Sequence, residues 1–212
     1  MSTRLILIRH GRTAWNADGR FQGRADVPLD EHGLAQASAM APLVAHLGPE
    51  AIVSSPLLRA RQTADALASV TGLPVGVDAR LAEIDVGTWA GRTLADAAAE
   101  NPDMYAALAE GRDFRRSATG ETANEAGARV AEALRHVAAW KADGVKAVVG
   151  HGLSLRMGIL QLLGWDMVTG LALAGLWNGS WSVLELRDRW RLLTYNAVAA
   201  SVESGPGKGH GP

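Results

Sequence analysis

The sequence predicts an α/β sandwich whose central sheet is mixed but mostly parallel, and three observations predict it. Short apolar, β-branched runs stand at Leu5–Ile8, Ala51–Val53 and Ala147–Val149, each ending in small or polar residues. Continuous runs of this kind suit strands buried on both faces. Helical spacings fill the intervals between them. Two later segments, Trp181–Leu186 and Trp190–Tyr195, meet across Asp188–Arg189 as a hairpin, which adds antiparallel pairing.

The elements follow in order. Leu5–Ile8 is the first strand and stops at Arg9–His10–Gly11, where the glycine is expected to let the backbone turn. After Asp30, a suitable N-cap, Leu34, Ala37, Ala41 and Val44 share one helix face. Beyond the Ala51–Val53 strand, Ser55–Pro56 has the form of an N-cap followed by proline at the first helical position, opening a helix through Leu67 that stops before Gly72. From Arg92 to Gly120 the composition is polar and alanine-rich with no evident strand, so residues of about 92–120 are expected to form a helical lid over the sheet edge. Val130, Leu134, Val137 and Lys141 repeat at helical spacing, as do Leu155, Ile159 and Leu162 ahead of Gly164. Residues 1–200 are expected to form one domain, and the glycine- and proline-rich residues 201–212 a disordered tail.

Composition narrows the function. With 212 residues, 48% hydrophobic and 20% charged, the chain suits one well-cored globular domain. A formal net charge of −1 argues against a generally basic nucleic-acid binder. There is no cysteine, which removes disulfides, thiol nucleophiles and cysteine-ligated metals together. The apolar start runs into Arg9 too soon for a signal peptide or a membrane span, so a cytoplasmic protein without a membrane partner is expected.

The histidines sort themselves by position. His-Gly occurs at His10, His32, His151 and His210, but only His10 and His151 follow an apolar strand directly. Ligands of α/β sheets bind beyond the carboxyl ends of strands, so these two are the candidates. His46 and His136 fall within helices and are expected to be surface or packing residues. No His-Glu-x-x-His cluster suggests zinc, and no Gly-x-Ser-x-Gly elbow suggests a serine hydrolase. No metal and no other cofactor is therefore expected. Chemistry through histidine itself remains, and phosphoryl transfer fits it. Neutral imidazole is nucleophilic near its pKa of about 6.5, and the transferred group needs fixed cations. Arg9 precedes His10, and Arg59 lies just inside a helix that follows a strand. A leaving alkoxide needs a proton, for which "LAEIDVGTWAG" offers Glu83 and Asp85.

Taken together, "RHGRTAWN", "VSSPLLRARQT", "LAEIDVGTWAG", "GET" at Gly120–Thr122 and "VVGHGLSLR" resemble the histidine phosphatase superfamily of phosphoglycerate-mutase-like enzymes, with "WNGSWSVLEL" a weaker match beyond. The resemblance implies a three-layer α/β/α sandwich, His10 as a nucleophile forming phosphohistidine, and Arg9, Arg59 and His151 as the rest of the phosphate pocket. It implies Glu83 as general acid and later base, Asn16 as an amide touching the phosphate, Gln22 and Gly23 as the closing loop, and a backbone N–H from Gly152. Leu153 stands where the mutases usually carry asparagine, and the short interval from Gly91 to Gly120 also favours the phosphatase branch. The expected ligand is a small phosphorylated metabolite. The alternatives are a phosphoglycerate-type mutase, with Arg115–Arg116 as an extra anion site, and a non-catalytic binder of phosphorylated ligands. As a bare pattern, Arg115–Arg116 is a solvated face. The apolar hairpin strands could serve as the edge of a homodimer.

Overall fold

The computed structural model describes residues 2–140 and 143–200. Six strands form one sheet: β1 (Thr3–Arg9), β2 (Ala51–Ser54), β3 (Val75–Val77), β4 (Gly144–Gly150), β5 (Trp181–Leu186) and β6 (Trp190–Ala197), in the spatial order β3-β2-β4-β1-β5-β6. The pairings among β3, β2, β4 and β1 are parallel, and those of β5 with β1 and of β6 with β5 are antiparallel. The sheet is mixed and mostly parallel, as the sequence predicts.

Alternation along β1 explains its unbroken apolar run. Leu5 and Leu7 point to one face, where they pack with Val130, Leu134 and Val137 of α6 (Ala123–Ala139) and Leu155, Ile159 and Leu162 of α7 (Gly152–Leu163). Ile6 and Ile8 point to the other, against Met40 and Val44 of α2 (Glu31–Ala45) and Ala60, Ala64 and Leu67 of α3 (Leu58–Thr71). Every position of such a strand must be apolar, because neither face meets water. Helices on both faces complete the three layers.

This arrangement also opens the site. The chain leaves β1 toward α2 on one face and leaves the adjacent β4 directly into α7 on the other. Adjacent strands whose connections part to opposite faces leave a crevice at their carboxyl ends. Arg9–His10 and His151–Gly152 stand there.

In chain order, α4 (Leu94–Glu100) and α5 (Met104–Ala109) come between β3 and α6 and are joined to α6 by a loop, while the short α1 (Ala14–Ala17) follows β1. Trp89, almost fully buried, centres a separate apolar cluster with Ala97, Met104, Phe21 and Phe114 that seats this region beside the crevice. A last short helix, α8 (Met167–Gly170), follows α7.

Several local expectations need correction. Helix α3 begins at Leu58, with Leu57 at its N-cap and no side-chain cap, so Ser55 does not cap it; its left-handed end at Gly72 stands as expected. Leu34 is 46% exposed, so the buried face of α2 runs through Ala37, Met40, Ala41 and Val44 instead. Asp30 does cap α2, accepting the Gly33 N–H at 2.7 Å. Gly11 is required for close approach rather than for a turn: a Cβ there would lie 2.3 Å from the Gly33 carbonyl oxygen. Strand β3 has no counterpart in the sequence reading. Lys141 and the tail at 201–212 lie outside the described residues. Among the described residues, no helix is long and apolar enough to cross a membrane.

Candidate active site

The crevice holds a cavity of about 660 Å³ counting its open mouth, lined on one side by Arg9, His10 and Arg59 and on the other by Glu83, Leu153 and Arg116. Asn16, Gln22 and Gly23 complete the lining from the β1–α2 connection. His10 is held by its own backbone. Its Nδ1 lies 2.6 Å from the Gly11 carbonyl oxygen, which can only accept, so Nδ1 carries the proton. The lone pair is then on Nε2, which accepts from Arg59 Nε at 3.2 Å. The Gly11 N–H donates to Thr63 Oγ1, and Thr63 donates to the Arg59 carbonyl one turn earlier in α3, so α3 fixes both side chains.

Both arginines are buried, and among the described residues neither pairs with a carboxylate within salt-bridge distance. Arg59 donates to the Gly23 and Ala25 carbonyls at 2.9 and 2.7 Å, which draws the Gln22–Gly23 loop over it. Arg9 donates to the Leu176 carbonyl and keeps its Nε without a partner. Burial pulls each guanidinium down to about 10, with the Glu83 charge opposing, so both stay protonated near neutral pH. Leaving a buried charge without a counter-charge costs about 3–5 kcal/mol, so such a pair is prepared for an anion.

His151 is fully buried behind His10, its ring edge-on at a centroid distance of 5.2 Å. Burial, followed by the neighbouring Arg59, His10 and Arg9, pushes it well below its ordinary value of 6.5, so it is neutral near pH 7. In that state it can act on a ligand only through hydrogen bonds, not as a cation. Gly152 lets Arg9 pass: a Cβ there would come within 3.1 Å of Arg9 Nε. Glu83 rests on the start of α7, its carboxylate accepting the N–H groups of Ser154 at 2.9 Å and Leu153 at 3.4 Å. Asp85 accepts the Gly87 N–H and faces Arg24, a structural position.

The adjacent arginines part company. Arg115 is exposed and bound to Glu125 and the Gly120 carbonyl. Arg116 is only 5% exposed, lies 3.9 Å over the Phe114 ring, has no carboxylate partner among the described residues, and lines the cavity. Burial pulls it down to about 10. Asn16 Oδ1 is committed inward, to the Thr13 N–H and to Asn178 Nδ2, which leaves its NH2 end for the cavity side. Gln22 is buried with Oε1 unpartnered.

Sequence reasoning missed Thr63, Asn178 and Trp15. Thr63 is four residues after Arg59, a spacing that would have found it. Asn178 donates to the His10 carbonyl at 3.1 Å from a loop without periodicity, and Trp15 joins the cavity wall only through tertiary packing. Arg20, though exposed, stands at the cavity rim, bonded to the Gly91 carbonyl.

The model of the histidine phosphatase superfamily (branch 1) matches residues 5–198, and the chain belongs to that family. A glucosyl-3-phosphoglycerate phosphatase of Mycobacterium tuberculosis is 35% identical over 92% of this chain and 95% of its own length. A probable phosphoglycerate mutase of Yersinia pestis is also 35% identical, over 76% of this chain and 74% of its own. Among solved structures, a mycobacterial glucosyl-3-phosphoglycerate phosphatase with VO3 superposes with a TM-score of 0.84 at 37% identity, covering 92% of this chain and 98% of that one. A phosphoserine phosphatase mutant of Entamoeba histolytica with phosphoserine gives 0.82 at 29% identity, covering 92% and 97%.

Proposed function

We propose that the protein is a metal-independent phosphatase of small phosphomonoesters, working through a phosphohistidine on His10. The observation that carries the proposal is the pairing of His10 Nδ1 with the Gly11 carbonyl, which leaves the lone pair on Nε2, held by Arg59 Nε until a phosphoryl group takes up that guanidinium, at a cavity bordered by two arginines that have no carboxylate partner among the described residues. Phosphorus is attacked by Nε2 as its bond to the ester oxygen breaks. Arg9, Arg59 and the amide of Asn16 hold the equatorial oxygens, where charge accumulates. Glu83 gives its proton to the leaving alkoxide. It then takes one from the water that attacks phosphohistidine, releasing inorganic phosphate and restoring His10. Gln22 and Gly23 close the near side, and residues of about 92–120 serve as the lid.

Inorganic phosphate release, measured with EDTA across 3-phosphoglycerate, glucosyl-3-phosphoglycerate, phosphoserine, sugar phosphates and an aryl phosphate, tests this. Release that persists in EDTA and disappears in His10→Ala supports it; release restored only by added magnesium or zinc contradicts it. Arg116 adds a second cation to the cavity, and the substrates in two of the relatives' names, glucosyl-3-phosphoglycerate and phosphoserine, each carry a carboxylate beside the phosphate. Substrates with such a second acid group are the class we favour. The same cation supports the second reading, a phosphoglycerate-type mutase, which interconversion of 2- and 3-phosphoglycerate without phosphate release would establish.

A further inference from the structure

Ser55 stands in the "VSSP" segment, yet it caps no helix and takes no part in the steps above. It is fully buried at the end of β2, its N–H bonded to the Val149 carbonyl beside the end of β4. Its hydroxyl oxygen lies 2.7 Å from His151 Nε2 and accepts the Leu57 N–H at 3.3 Å. Among the described residues the other ring nitrogen, His151 Nδ1, is buried without a partner, as is Arg9 Nε beside the next residue. The His151 ring packs edge-on against His10, whose other neighbour, Arg9, lines the cavity.

Counting protons decides between two arrangements. If His151 Nε2 carried the proton and donated to Ser55, the serine hydrogen would need a further acceptor, and none stands among the described residues. Nδ1 would then aim a lone pair at the anion. If Ser55 instead donates to Nε2, its one proton and one of its lone pairs are both used, and the imidazole proton sits on Nδ1. We propose that Ser55 is a positioning residue that holds His151 as the Nδ1–H tautomer, so that a neutral N–H donor meets the phosphoryl group received by His10. Burial among cations keeps His151 from taking a second proton, so the tautomer alone sets what it offers.

The role of that donor rests on the phosphatase reading; the tautomer does not. The experiment is therefore a long-range proton–nitrogen correlation spectrum of the full chain labelled with 15N-histidine, near neutral pH, with and without inorganic phosphate. The His151 signals are identified by their loss in His151→Gln. The expected spectrum has a protonated Nδ1 and an acceptor Nε2, with Nδ1 moving on phosphate addition. Ser55→Ala should populate the Nε2–H form and lower kcat on an aryl phosphate by about 10- to 100-fold, part of the loss typical when a transition-state donor is removed. Ser55→Thr should keep both the tautomer and most of kcat. A wild-type ring protonated on Nε2, or a Ser55→Ala protein that retains the wild-type tautomer or the wild-type kcat, overturns the proposal. The wild-type spectrum needs neither a folded variant nor turnover, so an inactive protein would count against the phosphatase reading and not against the tautomer.

Discussion

The two sides of the cavity are built on opposite terms. The floor consists of Arg9, His10 and His151 at the ends of β1 and β4 and Arg59 of α3, all nearly or fully buried and each held by backbone carbonyls, a hydroxyl or a neighbouring site residue. The cap, the segment from Arg92 to Gly120 proposed as the lid, reaches the cavity through Arg116 and rests on two short alanine-rich helices and on exposed ion pairs such as Arg92–Glu100 and Arg112–Asp103. A buried floor holds charge at fixed positions, which catalysis of phosphoryl transfer needs. Exposed pairs hold little, and a cap made of them can change without disturbing the floor. Arg116 is the exception on the cap side, a buried cation turned toward the floor.

Substitutions should therefore grade steeply from floor to cap. His10→Ala should lower kcat by about four orders of magnitude or more while leaving the thermal midpoint close to wild type, since a nucleophile has no substitute in the site. Arg59→Met should lower kcat/KM by about 10²- to 10³-fold, through loss of charge at the phosphoryl oxygens. Glu83→Gln should lower kcat by about 10- to 100-fold on alkyl phosphates and far less on an aryl phosphate, whose leaving group needs no proton. Equal losses on both would remove Glu83 from the role of acid. On the cap, Arg116→Met should raise KM only for substrates with a carboxylate beside the phosphate, by about 10-fold, the scale of one charge-assisted hydrogen bond. Arg115→Met should change neither kinetics nor stability measurably.

Stability carries a smaller, pH-dependent signature of the same floor. His151 is neutral when folded and takes a proton near pH 6.5 when unfolded, so the unfolded chain binds more protons below that pH. Stability should fall with decreasing pH below about 6.5, by up to about 1.4 kcal/mol per pH unit for this one group. His151→Gln should flatten that part of the profile in denaturant titrations. Carboxylates held low by arginine partners, Asp78 by Arg80 among them, add their own loss at more acidic pH.

What was legible in the sequence follows the same division. Strands β1, β2 and β4 could be found because a strand buried on both faces must be apolar throughout, and the two strand-end histidines because ligands of α/β sheets bind beyond the carboxyl ends of strands. Strand β3 is three residues long, with Gly76 at its centre and an exposed Val77, so it lacks any such pattern. Leu34 fits the spacing of α2 yet faces solvent, because spacing marks a helix face but not how far the neighbouring layer extends. Ser55 was found but assigned to a helix; its partner His151 lies 96 positions away, and only the sheet brings them together. The division between Arg115 and Arg116 depends on the Phe114 ring and on Glu125, neither of which a charge pattern reveals.

The most direct test is to find where the phosphoryl group goes. Substrate labelled at phosphorus, mixed with enzyme and quenched in alkali within one turnover, should leave one acid-labile phosphoryl group per chain. Peptide mapping should locate it on His10, and it should be absent from His10→Ala. Full turnover with no protein-bound label, or label on a residue other than His10, would contradict the central claim that this crevice exists to present His10 Nε2 to phosphorus.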